Sequence, residues 1–181
     1  MTDEELVEQV RAGDTAAFGE LVERHQAAVY RSALAVLGNP EDAEDVVQEA
    51  LVLAYRRIDQ FRGEASLKTW MISIAWRLSL SRRRGLRWRL RRMMAPDSEL
   101  DRLPAAVASP ESLLQSAERL SVVRRHIRRL PAKLRDALLL TAAGDLTQEE
   151  LAAALNIPAA TFRGRVRDAR LKLKEKLSQT P

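Results

Sequence analysis

Three arginines and a threonine stand close together near the end of the chain, Thr161, Arg163, Arg165 and Arg167. A guanidinium presents a fork of N–H donors that matches two acceptors on the edge of guanine, and a good pair discriminates by about 1–3 kcal/mol. Just ahead, Thr147 and Glu150 form a capping box that opens Leu151-Ala-Ala-Ala-Leu155, and Asn156-Ile157-Pro158 makes a tight turn. A short helix, a short turn and a longer basic helix make a helix-turn-helix, whose second helix lies in the DNA major groove. The same arginines could instead be the solvated face of an amphipathic helix. The capping box, the three-residue turn and the basic start together favour DNA, with Phe162, Val166, Ala169 and Leu173 as the apolar stripe that fixes the helix.

A second basic set lies earlier, Arg82, Arg83, Arg84, Arg87, Arg89, Arg91 and Arg92, with Trp76 and Trp88 interleaved. Such arginines follow phosphates, which makes affinity fall steeply as salt rises, and a tryptophan there can stack on a base or cover apolar surface. The charge is laid down in blocks: residues 1–60 carry 13 acids against 5 bases, 61–95 carry 1 against 10, 96–120 carry 5 against 2, and 121–181 carry 6 against 13. Two basic blocks around an acidic spacer imply two contacts with a polyanion, and the acidic first third needs a different partner or none.

Other chemistries find little support. Zero cysteines exclude disulfides, thiolate zinc sites and a cysteine nucleophile, and the two imidazoles, His25 and His126, are far apart in sequence. No glycine loop that could cradle a phosphate is present. Asp42 and Asp45 stand at i, i+3 as a metal pair would, but early acids are explained more simply by a helix start at Pro40. No enzyme, cofactor, metal or small-molecule substrate is expected. The start, Met1-Thr-Asp-Glu-Glu, lacks the basic and apolar parts of a signal peptide, and no run of about 18 apolar residues exists to span a membrane, so a cytoplasmic protein is expected.

The elements that must position these groups are helices. Thr2 with Glu5 caps a first short helix that stops at Gly13, and Asp14 caps a second that ends at Gly38. Asn39-Pro40-Glu41-Asp42 reads as cap, first-turn proline and first-turn acids of a third. Phe61-Arg-Gly-Glu-Ala-Ser66 breaks the period as a loop, and Ser66 caps a fourth helix with Leu67, Met71, Ile74, Ala75 and Leu78 on its core face. Pro96, Pro104 and Pro110 interrupt a stretch without apolar period, which reads as a flexible linker at 94–112. The expectation is an all-α chain of two small helical domains, 1–93 and 113–181, the second a helix-turn-helix.

Four stretches carry a resemblance. Gly38-Asn-Pro-Glu-Asp-Ala-Glu-Asp-Val-Val-Gln-Glu49, then Phe61-Arg-Gly-Glu-Ala-Ser-Leu-Lys-Thr-Trp70, then Leu146 to Ala152, then Ile157-Pro158, resemble bacterial sigma factors of the extracytoplasmic-function (ECF, group IV) branch. The resemblance covers nearly the whole chain apart from the linker. It implies that Asp45, Gln48 and Glu49, at i, i+3 and i+4 on one helix face, dock on the clamp helices of the largest subunit of core RNA polymerase. By themselves those residues are ordinary surface polarity. It further implies that Phe61, Arg62, Gly63, Glu64, Ala65, Ser66, Lys68, Trp76, Arg77, Arg82, Arg83 and Arg84 meet the −10 promoter element, where extruded bases of one strand are captured. Ala160, Thr161, Arg163, Arg165, Val166, Arg167 and Arg170 would meet −35 duplex DNA. Trp70 would pack in the core.

Implied partners are core RNA polymerase, promoter DNA and a dedicated anti-sigma factor, which could also hold the protein at the membrane. The other reading is a helix-turn-helix regulator that binds duplex DNA alone, with the N-terminal bundle as a dimerisation or sensing module. This chain departs from the family at four places: Arg77 replaces a usual Asn, Ser81 a frequent Asp, Ala160 a common Gly, and Asp168 a basic residue. Asp168 would repel phosphate unless Arg165 or Lys172 neutralises it.

Overall fold

In a computed structural model, residues 1–93 and 122–179 are described, the side chains of 86–93 excepted. The linker expected at 94–112 therefore lies outside the described residues, as do the side chains of Arg87, Trp88, Arg89, Arg91 and Arg92. The described residues form helices and no strand: α1 (Asp3–Arg11), α2 (Thr15–Leu37), α3 (Pro40–Arg56), a 3-10 turn (Ile58–Gln60), α4 (Leu67–Met93), α5 (122–129), α6 (Ala132–Ala143), α7 (Gln148–Ala154) and α8 (Ala159–Ser178). Among the described residues no helix is long and apolar enough to cross a membrane.

Local chemistry sets the ends. At α1, Glu5 N–H donates to Thr2 Oγ1 at 3.2 Å while Thr2 N–H donates to Glu5 Oε2 at 2.8 Å. Asp14 accepts from Ala16 and Ala17 N–H at 2.8 and 3.3 Å, and Asn39 accepts from Asp42 N–H at 3.2 Å ahead of Pro40. The second capping box, Thr147 with Glu150, repeats the first at α7. Each such cap satisfies donors that no helical carbonyl can reach, worth roughly 1 kcal/mol. Gly38 and Gly144 close α2 and α6 at φ 72° and 77°, a left-handed region that costs glycine nothing.

The first four helices enclose a core of Leu6, Leu21, Val29, Ala33, Val46, Ala50, Met71 and Ile72, all at most 2% exposed. Small residues on α2 and α3 (Ala33, Ala43, Ala50) let these helices approach closely. A second core joins α6, α7 and α8 through Ala137, Leu140, Leu151, Ala152, Phe162 and Val166. It does not stop at that unit, because Val36 of α2 and Trp76 of α4 belong to the same buried cluster. The described residues of the two units, 1–93 and 122–179, pack against each other through α2 on α6 and α4 on α7. Leu146, between α6 and α7, packs against both cores.

Candidate nucleic-acid interface

The loop after the 3-10 turn is held at both ends. Phe61 is buried and lies against Trp70, ring centroids 5.4 Å apart and tilted by 50°. The Arg11 guanidinium, reaching over from the end of α1, donates to the carbonyls of Ile58 at 3.3 Å and Phe61 at 2.5 Å. At the far end Ser66 caps α4, its Oγ accepting from Thr69 N–H at 3.2 Å. Between these anchors Arg62, Gly63 and Glu64 are exposed, Ala65 is half-buried, and Gly63 takes φ 71° with open space where a Cβ would lie. The loop thus offers Arg62 and Glu64 side chains on a fixed frame, with Phe61 part of the frame. Lys68 is half-buried in the first turn of α4. Arg11 was not anticipated, since a basic residue in the last turn of a short helix is accounted for by the helix dipole alone.

Along α4 the expected DNA-facing groups divide. Arg77 and Arg84 are exposed. Trp76 is 8% exposed and shares the second core, so its ring is unavailable for base stacking in this arrangement. The reason is register: Trp76, Leu80 and Arg83 at i, i+4 and i+7 form a stripe turned toward α6 and α7. Arg83 makes two parallel 2.7 Å hydrogen bonds to Asp136 of α6, with both side chains largely buried at 12% and 7% exposure. Arg82 instead faces α3, donating to Asp42 at 2.7 Å and to Asp45 at 2.6 Å. Burial works against its charge, but the bonds to Asp42 and Asp45 outweigh this and raise its pKa, so it stays a cation. Both arginines, expected on phosphates, have carboxylate partners within the chain.

The docking candidates Asp45, Gln48 and Glu49 are exposed on α3, above a buried stripe of Ala43, Val46, Val47 and Ala50. Asp45 is the one that Arg82 engages. The face continues at i+7 into Val52, which is 51% exposed, and then Tyr55, at 40% exposure, whose ring meets Phe18 edge-on at 5.0 Å. Two exposed apolar side chains beside acids make this a surface with both charge and contact area. Neither Val52 nor Tyr55 was singled out by spacing, because their positions fit the end of an ordinary amphipathic helix.

In the C-terminal unit Asn156, at φ 53°, turns the chain between α7 and α8, and Ile157 N–H closes the turn onto the Ala152 carbonyl at 3.0 Å. Phe162, Val166 and Ala169 are buried, so Val166 belongs to the core and not to a DNA surface. Ala160, Thr161, Arg163, Arg167 and Arg170 are exposed and Arg165 is half-buried. Arg163 is held by Glu149 of α7 at 2.7 Å, an exposed pair that costs little to exchange for another anion. Asp168 is paired with its neighbour Arg167 at 3.2 Å, rather than with Arg165 or Lys172. Among the described residues no group of three or more His, Asp or Glu could hold a metal ion.

A family model described as Sigma-70 region 2 matches residues 21–89, and one described as Sigma-70, region 4 matches residues 120–173. The chain is 36% identical to the ECF RNA polymerase sigma-E factor of Escherichia coli K12, over 98% of this chain and 95% of that protein. Among solved structures it is similar to CnrH in complex with the cytosolic domain of CnrY, with a TM-score of 0.68, 26% identity and 99% of each chain covered. It is also similar to the sigma factor RpoE bound to the anti-sigma factor NepR from Bartonella quintana, with a TM-score of 0.65 and 25% identity over 91% of this chain and 98% of that one.

Proposed function

The chain belongs to the sigma-70 family, in its ECF branch, and from that premise we propose how its surfaces divide the work of a promoter-specificity subunit. Residues 1–93 bind core RNA polymerase and the −10 element, 113–181 bind the −35 element, and 94–112 link them. On α3, Asp45, Gln48 and Glu49 dock on the clamp helices, with Val52 as apolar contact in the same face. The loop carrying Arg62, Gly63 and Glu64 receives an extruded base, and Arg77 and Arg84, exposed farther along α4, follow the strand. Capture of a base out of the stack costs a few kcal/mol, and a frame already fixed by Arg11 and Ser66 avoids adding the cost of ordering the loop. Thr161, Arg163, Arg165, Arg167 and Arg170 enter the −35 major groove.

The observation that carries this reading is the pairing, in one chain, of an exposed acidic face on α3 with an exposed basic helix after a capped turn. A regulator that binds duplex DNA alone has no use for the first. No group in this reading performs bond-making chemistry, so the protein is a transcription factor and not an enzyme. It acts in the cytoplasm, and an anti-sigma protein that covers its polymerase-binding faces holds it inactive, at the membrane if that partner is anchored there. Co-purification with core polymerase, followed by promoter-dependent transcription from a genomic library of fragments, tests the proposal. A pure protein that binds duplex DNA but neither joins core enzyme nor directs initiation would belong to the other class.

A further inference from the structure

The buried positions of α8 fix which way the rest of it faces. Phe162, Val166 and Ala169 are at most 2% exposed, and at i, i+4 and i+7 they define one side of the helix. The opposite ridge, at the same spacing, is Ala160, Gly164, Arg167 and Leu171, with Asp168 beside Arg167. Arg163 and Arg165 lie on the flanks: Arg163 is drawn to Glu149 of α7 at 2.7 Å, and Arg165 is half-buried. Gly164 stands in mid-helix, yet a Cβ there would meet nothing within 4 Å in the chain. Glycine weakens a helix, so packing within the chain does not account for it, whereas close approach of a ligand to the backbone would. With nothing larger than a methyl group at Ala160 and Gly164, the first two turns of α8 can lie near the base edges of a groove. The third turn then brings Arg167 and Asp168 to the same depth.

The two side chains hold each other in register. Arg167 Nε and Nη2 both donate to Asp168 Oδ1 at 3.2 Å, and the side chains are 74% and 48% exposed. That contact takes one edge of the guanidinium. The outer edge, between Nη1 and Nη2, keeps two N–H groups in the fork that fits guanine O6 and N7, and Asp168 Oδ2 remains an acceptor. We infer that Arg167 and Asp168 are the specificity-determining pair of α8, Arg167 selecting a guanine and Asp168 a cytosine on a neighbouring base pair through its N4 amino group. The inference rests on the proposed placement of α8 in the −35 major groove. A carboxylate there works by rejection as well as attraction. Guanine and thymine offer it only acceptors on their major-groove edges and are disfavoured, while adenine, whose N6 amino group lies next to the N7 acceptor, ranks second. The acid also offsets the pull of Arg167 on phosphates, contacts that add affinity without sequence.

The test is selection from a library of randomised duplexes by the full chain joined to core polymerase, with the bound sequences read out. One position should favour cytosine over guanine and thymine by about tenfold, next to a position that favours guanine. Asp168→Ala should reduce the cytosine preference to below about twofold, Asp168→Arg should turn the same position to guanine, and Arg167→Ala should lose the neighbouring guanine. A cytosine preference that survives Asp168→Ala, or a gain in affinity for all sequences alike with the preference unchanged, would overturn the pair. Gly164→Gln checks the close approach, since nothing in the chain obstructs it. Its melting temperature should hold or rise while affinity for the selected duplex falls by about tenfold or more, and unchanged affinity would overturn the seating of this ridge. Selection with the full chain alone, run beside the first, separates the two claims. The guanine and cytosine preferences without core binding would refute the sigma reading and leave the pair standing. Core binding and initiation with a preference indifferent to Asp168 would refute only the pair.

Discussion

Replacing Arg11 by Ala should loosen the loop at 61–66 far more than the bundle that carries it. Two hydrogen bonds to carbonyls are lost, at 3.3 Å to Ile58 and 2.5 Å to Phe61. A bond with a charged donor is worth about 1.5–3 kcal/mol when sheltered. The Arg11 side chain is 30% exposed, so water replaces part of what is lost, and a discounted total of about 1–2 kcal/mol follows. That corresponds to a roughly 5–30-fold rise in the locally opened population. Native-state amide exchange reads this directly, because Gln60 and Phe61 N–H bond to the carbonyls of Arg57 and Ile58 within the anchored turn. Their exchange should quicken by that factor, while amides in the middle of α2 follow only the smaller change in global stability. Initiation from promoters should fall with the loop, and Arg11→Lys, which keeps charge without the fork, should recover little of it. Exchange that is unchanged at Gln60 and Phe61, or that quickens equally in α2, would refute the claim that Arg11 acts as a local anchor.

Reversing Asp45 and Glu49 to Lys should weaken core-polymerase binding by at least about tenfold with helicity retained, read by titration against labelled core, and unchanged affinity would move the docking face elsewhere. Because Asp45 also holds Arg82, the same double change should raise non-specific DNA affinity of the free chain, seen as a steeper salt dependence. Arg163→Ala and Arg165→Ala should each cost about 1–3 kcal/mol of −35 selectivity, measured by competition between promoter and mixed duplex, whereas a uniform loss across sequences would assign them to phosphates. Phe162→Ala, at a fully buried position, should cost about 3–5 kcal/mol in urea denaturation and abolish −35 binding by unfolding its support.

The helix ends were legible because caps are local chemistry. Thr2 with Glu5, Asn39 before Pro40, and Thr147 with Glu150 each settle their partner within three residues. The inward turn of Trp76 was not, since α4 carries two apolar stripes, one with Ile72 and Ala75 and one with Trp76 and Leu80. Periodicity marks a stripe as apolar without saying what covers it. The arginines of α4 show the same limit for charge. Arg82 finds its partners about 40 residues away in α3, and Arg83 its partner 53 residues away in α6. Composition registered them as a positive block and could not register that their nearest anions belong to the chain itself. The loop from Phe61 to Ser66 was legible from its break in apolar period, but which members point outward had to come from the packing of Phe61 on Trp70 and the reach of Arg11.

Leu146 leans on both hydrophobic cores. A residue with two sets of neighbours inherits two sets of evolutionary constraints, so a substitution tolerated by the helix-turn-helix must also suit the four-helix bundle. Drift on either side then has to be matched on the other, and related chains should co-vary across this seam even though their DNA-reading surfaces diverge. A chimaera joining domains from two distant relatives would meet its first incompatibility at this leucine, before any question of promoter choice arises.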